Sequence, residues 1–439
     1  MRGTSSTGIA GATAFCRVQC KGLNLDDTPG GRIVRVRMLN VSSNMRLHCL
    51  KRVAAALWLA PFILMTAPAV TRADSTDDYV HRQMEKKKIP GLSIAVIRDG
   101  HVVKEAAYGK ASLELNVPVT LDTSYPLASM TKVFTAVAVM QLVQEGRISL
   151  DEPVTQILPQ LPPHWSAITV RHCLSHTSGL PDVLTDDVNV TTVSGDRDMA
   201  LADVAKQPLK PAGAASVYNQ TGYVLLGMII EKISGMSYED FAQSRLLNPA
   251  GMKTAHFGDG WAIIPGQADL YTALDITPDH TKLLMRDGRP VVMTDKIRRY
   301  GSKYSPEYLA PAAYLNGSIR DLVSWEMALS HGKLLQSSAL AEMAIPYKLS
   351  DGKDGIWGLG YATVPMSMFG NSTATKSGGA FGPHATVSYG GGAATWCMAI
   401  PDKHLIVIVL TNLQDSNPDA LAADIATLYE PSLVLASTH

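Results

Sequence analysis

Between Val133 and Val143 the chain sets Val133, Phe134, Ala136, Val137, Val139, Met140, Leu142 and Val143 on every face of a helix, leaving no polar stripe. A helix that is apolar all round is buried all round, so its first turn is expected inside the protein. Gly146 supplies the stop, and a second apolar helix is predicted from Tyr223 to Ile233. Upstream, Ser75 to Lys88 reads as a helix opened by the capping pair Ser75 and Asp78 and ended near Pro90. Strand character then takes over in Leu92 to Ile97 and His101 to Tyr108, joined across Arg98-Asp99-Gly100, where Asp-Gly suits the positive φ angles of a tight turn. It returns in Ala393 to Ile400 and Leu405 to Thr411, linked by Pro401 to His404. Because Leu405 to Leu410 is apolar without interruption, it predicts a central strand covered on both faces. Asp419 to Tyr429 closes the chain as an amphipathic helix.

Strands near both ends with helices between them predict an α/β (α+β) architecture. One antiparallel sheet takes its edges from the two chain ends, about residues 75–120 and 315–432, and a mostly helical insert occupies about 121–314. The stretch from Gly258 to Tyr314 is irregular apart from a candidate hairpin at Arg286-Asp287-Gly288; a loop that long shapes or covers a site. A functional site is expected where the sheet meets the insert. Residues 75–432 read as a single catalytic domain, with no internal repeat or linker.

The 439 residues are 46% apolar and 18% charged, enough for a substantial core. Formal net charge is zero and no basic stripe stands out, which removes the electrostatic case for nucleic acid and favours small-molecule chemistry. Near the start, Arg46, Lys51 and Arg52 precede an apolar run from Val53 to Met65, followed by Ala67-Pro68-Ala69 and Ala73. That run falls short of the roughly 20 residues a bilayer requires, so 45–73 reads as a cleaved export signal rather than a stable membrane anchor. A periplasmic or secreted protein is expected, with residues 1–44 as a non-native or disordered extension. Of five cysteines, Cys16, Cys20 and Cys49 fall in or before the signal; Cys173 and Cys397, in a helix and a strand, are expected as buried free thiols.

The chemistry concentrates at Ser129-Met130-Thr131-Lys132, where the buried helix begins. Residues one turn apart share a helix face, so the amine reaches the hydroxyl and takes its proton if burial lowers the amine pKa. This makes Ser129 the candidate nucleophile and Lys132 the candidate base, without histidine. The plain alternative, a solvated lysine at a helix start, fits poorly in so apolar a context. His172 and His176 have i, i+4 spacing but no His-Glu-x-x-His pattern, so no metal is expected, and nothing calls for a cofactor. The Gly-x-Ser-x-Gly elbow of the α/β-hydrolases does not occur.

Several ordered segments resemble the serine β-lactamase-related family, which includes class C β-lactamases, D-alanyl-D-alanine carboxypeptidases and related esterases. Beside Ser129 to Lys132 they are Gly91 to Val96, Leu174-Ser-His-Thr-Ser-Gly-Leu180, Pro211 to Gln220, Gly222 to Gly227, Trp357-Gly-Leu-Gly-Tyr361 and the strand ending in Thr411-Asn412, spanning about Pro90 to Asn412. The resemblance implies a β-lactamase/transpeptidase-like fold. It also implies that Tyr218 stands opposite the serine as a proton relay, a role open to a phenol beside a cation; a half-buried packing tyrosine is the plain alternative. Gln220 holds the place of the family's asparagine and is expected to contact substrate differently through its longer arm. His176, in the Ser-His-Thr-Ser-Gly turn, is expected to be structural.

For the family's third element, a Lys-Thr-Gly or His-x-Gly on a strand beside the serine, two candidates exist. Lys376-Ser377-Gly378 is the closer literal match, but Tyr389-Gly390-Gly391 directly precedes the closing strand pair and is preferred. With tyrosine in place of a cation, carboxylate recognition weakens and neutral acyl esters gain. Tyr389, Gly390, Gly391 and Gly392 are therefore expected to bind substrate, with the amides of Ser129 and of a residue near Gly392 forming an oxyanion hole. The expected activity is an exported serine hydrolase acting through an acyl-enzyme on carboxylic esters. A β-lactam or a D-amino-acid peptide is the alternative substrate, and a non-catalytic cell-wall ligand sensor is the reading of another class.

Overall fold

A computed structural model describes residues 75–184, 195–258, 262–275, 284–286, 289–300, 306–369, 380–381, 385–392, 394–414 and 416–435. All of them belong to the unit Thr71–His439. The expected signal, the residues before it and Lys376-Ser377-Gly378 lie outside the described residues.

Helix α1 (Ser75–Lys87) leads into the hairpin of β1 (Gly91–Arg98) and β2 (His101–Ser112). Asp99 and Gly100 turn the hairpin with φ of 51° and 74°, the left-handed pair that matches strand twist. The short strand β3 (Val117–Pro118) follows, then the buried helix α2 (Thr131–Gln144), α3 (Val170–Leu174), α4 (Thr221–Ser234) and α5 (Ile319–Ser330). The chain closes with β4 (Ala362–Pro365), β5 (Ala385–Gly391), β6 (Thr395–Ile400), β7 (Leu405–Thr411) and α6 (Pro418–Tyr429).

These strands form a seven-stranded sheet ordered β4-β5-β6-β7-β1-β2-β3. Its larger pairings are antiparallel, with Leu92 opposite Thr411 and Arg98 opposite Leu405. Each end of the chain therefore supplies one edge of the sheet, β3 from residues 75–120 and β4 from residues 315–432, as expected, and the two ends meet at its centre where β1 pairs with β7. Asn412 fixes that junction: its Oδ1 accepts from the Gly91 amide at 2.7 Å, while its Nδ2 donates to the Lys110 carbonyl at 3.0 Å.

Alternation along β7 sends Val407 and Val409 to one face, against Val80, Leu421 and Ile425 of α1 and α6. Ile408 and Leu410 face the other way, into the core that holds α2 and α5. There Phe134 stacks on Trp325 with ring centroids 4.0 Å apart. No polar face exists on α2 because none is needed: Thr131 through Leu142 are all buried.

Within the expected helical insert the structure also holds strands. Tyr271–Asp275, Leu284–Arg286 and Arg289–Arg299 form a four-stranded sheet with Leu413–Gln414. Arg286 pairs with Arg289, the tight hairpin predicted there, but the flanking strands carry too mixed a pattern to stand out. Cys173 and Cys397 are buried free thiols. Among the described residues no helix is long and apolar enough to cross a membrane.

Candidate active site

Ser129 sits in a single 3₁₀ turn, Ala128–Met130, that runs directly into α2. Ala128 has φ of 46°, a left-handed conformation that costs a non-glycine residue about 1–3 kcal/mol and is kept only where surrounding contacts enforce it. Thr131 supplies one such contact: its hydroxyl donates to the Ala128 carbonyl at 2.6 Å and accepts from the Leu315 amide at 3.1 Å.

One turn on, Lys132 is 3% exposed. Its Nζ donates to Gln220 Oε1 at 2.7 Å, to the Ala312 carbonyl at 2.9 Å and to Ser129 Oγ at 3.4 Å. Those three acceptors match the three N–H donors of a protonated amine. The same nitrogen lies 4.8 Å from the centre of the Tyr218 ring and 5.4 Å from that of Tyr223. Tyr218 is 39% exposed, and its hydroxyl donates to Ser129 Oγ at 2.6 Å, the shorter of the two side-chain contacts to that oxygen. The structure thus brings Ser129, Lys132 and Tyr218 into one hydrogen-bonded group.

His176 backs the tyrosine. Its ring packs 4.6 Å from that of Tyr218 and 4.9 Å from that of Trp357, its carbonyl accepts from the Val217 amide, and its Nδ1 accepts from the Asn219 amide at 3.2 Å. Burial, with a smaller contribution from nearby Lys132, holds the imidazole well below its ordinary pKa. A neutral ring that accepts at Nδ1 carries its proton on Nε2, and among the described residues no hydrogen bond joins it to Ser129. His172 is engaged elsewhere, with Thr169 and with Tyr347 Oη at 3.0 Å. Among the described residues no group of three His, Cys, Asp or Glu side chains is arranged to hold a metal.

A cavity of about 310 Å³ opens at Ser129 and Tyr218 and is walled by Gly390, Gly391 and Gly392. The glycines answer to sterics. A Cβ on Gly391 would stand 2.0 Å from the Leu127 carbonyl oxygen and 2.8 Å from the Ser129 nitrogen, and one on Gly390 would meet the Trp396 ring at 2.1 Å. So β5 lies against the backbone at the serine.

Two expectations need correction in detail. Tyr389 does not present its phenol to the cavity: it is 5% exposed and donates to Glu326 in the core, because the face of β5 that carries it packs on α5. Gln220 does not line the cavity either; its carboxamide oxygen is occupied by Lys132, and its backbone amide donates to Asp182 at 3.0 Å. The residues that do complete the lining were not singled out from the sequence: Thr395 and Trp396 on β6, and Asn417, Pro418 and Asp419 at the start of α6. Their adjacency to the glycine run and to the closing strand was the available signal. A larger cavity, about 910 Å³, lies between Val224, Tyr238 and Tyr314 and is not lined by Ser129, Lys132 or Tyr218.

A family model described as Beta-lactamase matches residues 76–429. Penicillin-binding protein 4* of Bacillus subtilis is 26% identical over 296 residues, covering 63% of this chain and 60% of that protein. The chain spans between 47% and 60% of the lengths of the first curated relatives it matches. Among solved structures, an octameric penicillin-binding protein homologue from Pyrococcus abyssi is similar with a TM-score of 0.61 and 26% identity, covering 81% of this chain and 76% of that one. EstCE1, a hydrolase with promiscuous acyltransferase activity, has a TM-score of 0.63 at 19% identity, covering 80% and 97%, a likeness of fold alone.

Proposed function

The chain belongs to the Beta-lactamase family, and from that premise we propose that it is a serine hydrolase working through an acyl-enzyme, with carboxylic esters as its substrates. The observation that carries the reading is the Ser129 hydroxyl at a cavity wall, 2.6 Å from a phenol and 3.4 Å from a buried amine. A hydroxyl so placed can lose its proton as it attacks.

The geometry supports a division of labour different from the one read at the Ser-x-x-Lys motif. With its three N–H groups engaged, Lys132 serves as a cation beside Tyr218, which enters the cycle as a phenolate by releasing its hydroxyl proton to solvent on its exposed side. Tyr218 then takes the Ser129 proton while the Oγ–C bond forms, and returns it to the alkoxide as the ester C–O bond breaks. Water enters, gives a proton to the same phenolate oxygen and releases the acid, after which Ser129 recovers its proton. The amides of Ser129 and Gly392 are the proposed donors to the oxyanion.

The lining supports esters over carboxylate-bearing substrates. Among the described residues at the cavity there is no lysine or arginine, and the charged side chain present is the acidic Asp419. A β-lactam or peptide carboxylate would meet the acidic Asp419 there, with no lysine or arginine among the described lining residues to pair with it. A substrate panel tests this: rapid cleavage of p-nitrophenyl esters with slow nitrocefin turnover is expected, and the reverse order would shift the reading to a β-lactamase or D-peptidase. Covalent labelling by a fluorophosphonate, lost in Ser129→Ala, is the expected sign of an enzyme; an unlabelled wild type would instead favour a ligand sensor.

A further inference from the structure

Behind the glycine run lies a buried polar cluster that the proposed chemistry leaves unused. Glu326 on α5 is 9% exposed, and its Oε1 accepts from the Tyr389 hydroxyl and from the Cys397 thiol at 3.6 Å. The Tyr361 ring closes the cluster, edge-on to Tyr389 with centroids 5.8 Å apart. Burial pushes the Glu326 carboxyl above its ordinary range and does the same to the thiol and both phenols. A carboxyl in an apolar core is strongly disfavoured unless its hydrogen bonds are satisfied, so these contacts are strongly enforced.

What the cluster holds is the strand beside the nucleophile. Tyr389 and Gly391 are two residues apart on β5 and so point to the same face. At Gly391 that face rests on the Leu127 carbonyl and the Ser129 amide with no room for a methyl group; at Tyr389 it ends in the hydrogen bond to Glu326. A strand anchored at one residue and in backbone contact two residues on has little freedom to tilt. We infer that Glu326 is a positioning residue, which through the Tyr389 hydroxyl sets the height of the Gly390 to Gly392 segment over Ser129 and thereby the geometry of the oxyanion pocket. Glu326 touches neither substrate nor Ser129, and the inference rests on the reading of Ser129 as nucleophile.

The test compares Tyr389→Phe, Glu326→Leu, their double variant and Glu326→Gln in the full chain. It follows p-nitrophenyl ester kinetics, the rate of fluorophosphonate labelling and thermal unfolding. Tyr389→Phe and Glu326→Leu should each lower kcat about tenfold with KM within about twofold, since sub-ångström displacement at an oxyanion site acts on the transition state. The double variant should be no slower than the worse single one, because both break the same hydrogen bond. Glu326→Gln keeps an acceptor for the phenol and should recover most of kcat. Tyr389→Phe with wild-type kcat, additive losses, or Glu326→Gln as slow as Glu326→Leu would each overturn the inference. Tyr389→Phe removes one oxygen and decides the matter if Glu326→Leu fails to fold. A wild type that neither turns over esters nor labels would remove the nucleophile reading first, and this inference with it.

Discussion

Replacing Gly391 with alanine should impair the enzyme out of proportion to the size of the change. The new methyl carbon would lie 2.0 Å from the Leu127 carbonyl oxygen and 2.8 Å from the Ser129 nitrogen, where ordinary contact begins at 3.4 Å. Both obstacles are backbone, so relief requires β5 and the serine turn to separate by about 1.4 Å, the difference between 3.4 and 2.0. A displacement near 1 Å at reacting groups costs roughly 100-fold in rate, and overpacking a well-filled site costs about 1–3 kcal/mol of stability. Gly392→Ala is the internal comparison. Its Cβ would find Ala128 Cβ at an ordinary 3.4 Å, leaving the left-handed φ of 56° as the penalty, about 1–2 kcal/mol. Steady-state ester hydrolysis, the rate of fluorophosphonate labelling and urea unfolding should therefore separate the two: a rate loss of about two orders of magnitude in Gly391→Ala, and in Gly392→Ala a smaller rate loss, from strain at an oxyanion donor, beside the loss of stability. If Gly391→Ala kept wild-type kcat, the strand would not constrain the serine, and the steric account of the site would be wrong.

Tyr218→Phe should cost about 10²- to 10⁴-fold in kcat as its general acid–base group is lost, while stability moves by less than about 0.5 kcal/mol because the side chain is exposed; pre-steady-state acylation and urea unfolding check both. Since burial holds His176 well below its ordinary pKa, its contribution to stability is complete above about pH 6.5 and is lost as pH falls toward the depressed folded value. The destabilisation caused by His176→Phe, measured by urea unfolding, should accordingly shrink between pH 6.5 and 5. Glu326 has the opposite sign: its raised folded pKa gives stability that is complete below about pH 4.3 and is lost as pH rises through the folded value, so Glu326→Gln should gain on the wild type as pH increases. On the proposal that residues 45–73 are a cleaved export signal, N-terminal sequencing of the mature protein should find a start just after Ala73; a mature chain retaining Arg2 to Asn44 would refute the reading of residues 1–44 as a non-native extension.

Local pattern determined much of this protein by itself. The apolar run of α2 could be nothing but a buried helix, the unbroken Leu405 to Leu410 stretch required cover on both faces, and Asp99-Gly100 dictated a tight turn, because helix burial, strand burial and turn geometry depend on residues a few positions apart. The spacing of Ser129 and Lys132 likewise carried the amine to the hydroxyl through one helical turn. What depended on long-range contacts did not show. That β1 joins β7 at the centre of the sheet is decided by pairing across more than three hundred residues, which no local period records. Tyr389 illustrates the limit at the site: alternation states that it shares a face with Gly391, but whether that face meets substrate or core depends on where α5 packs. Trp396 and Asp419 came to the cavity for the same reason, through the register of β6 on β5 and the return of α6 over the sheet, and a linear pattern holds no measure of either.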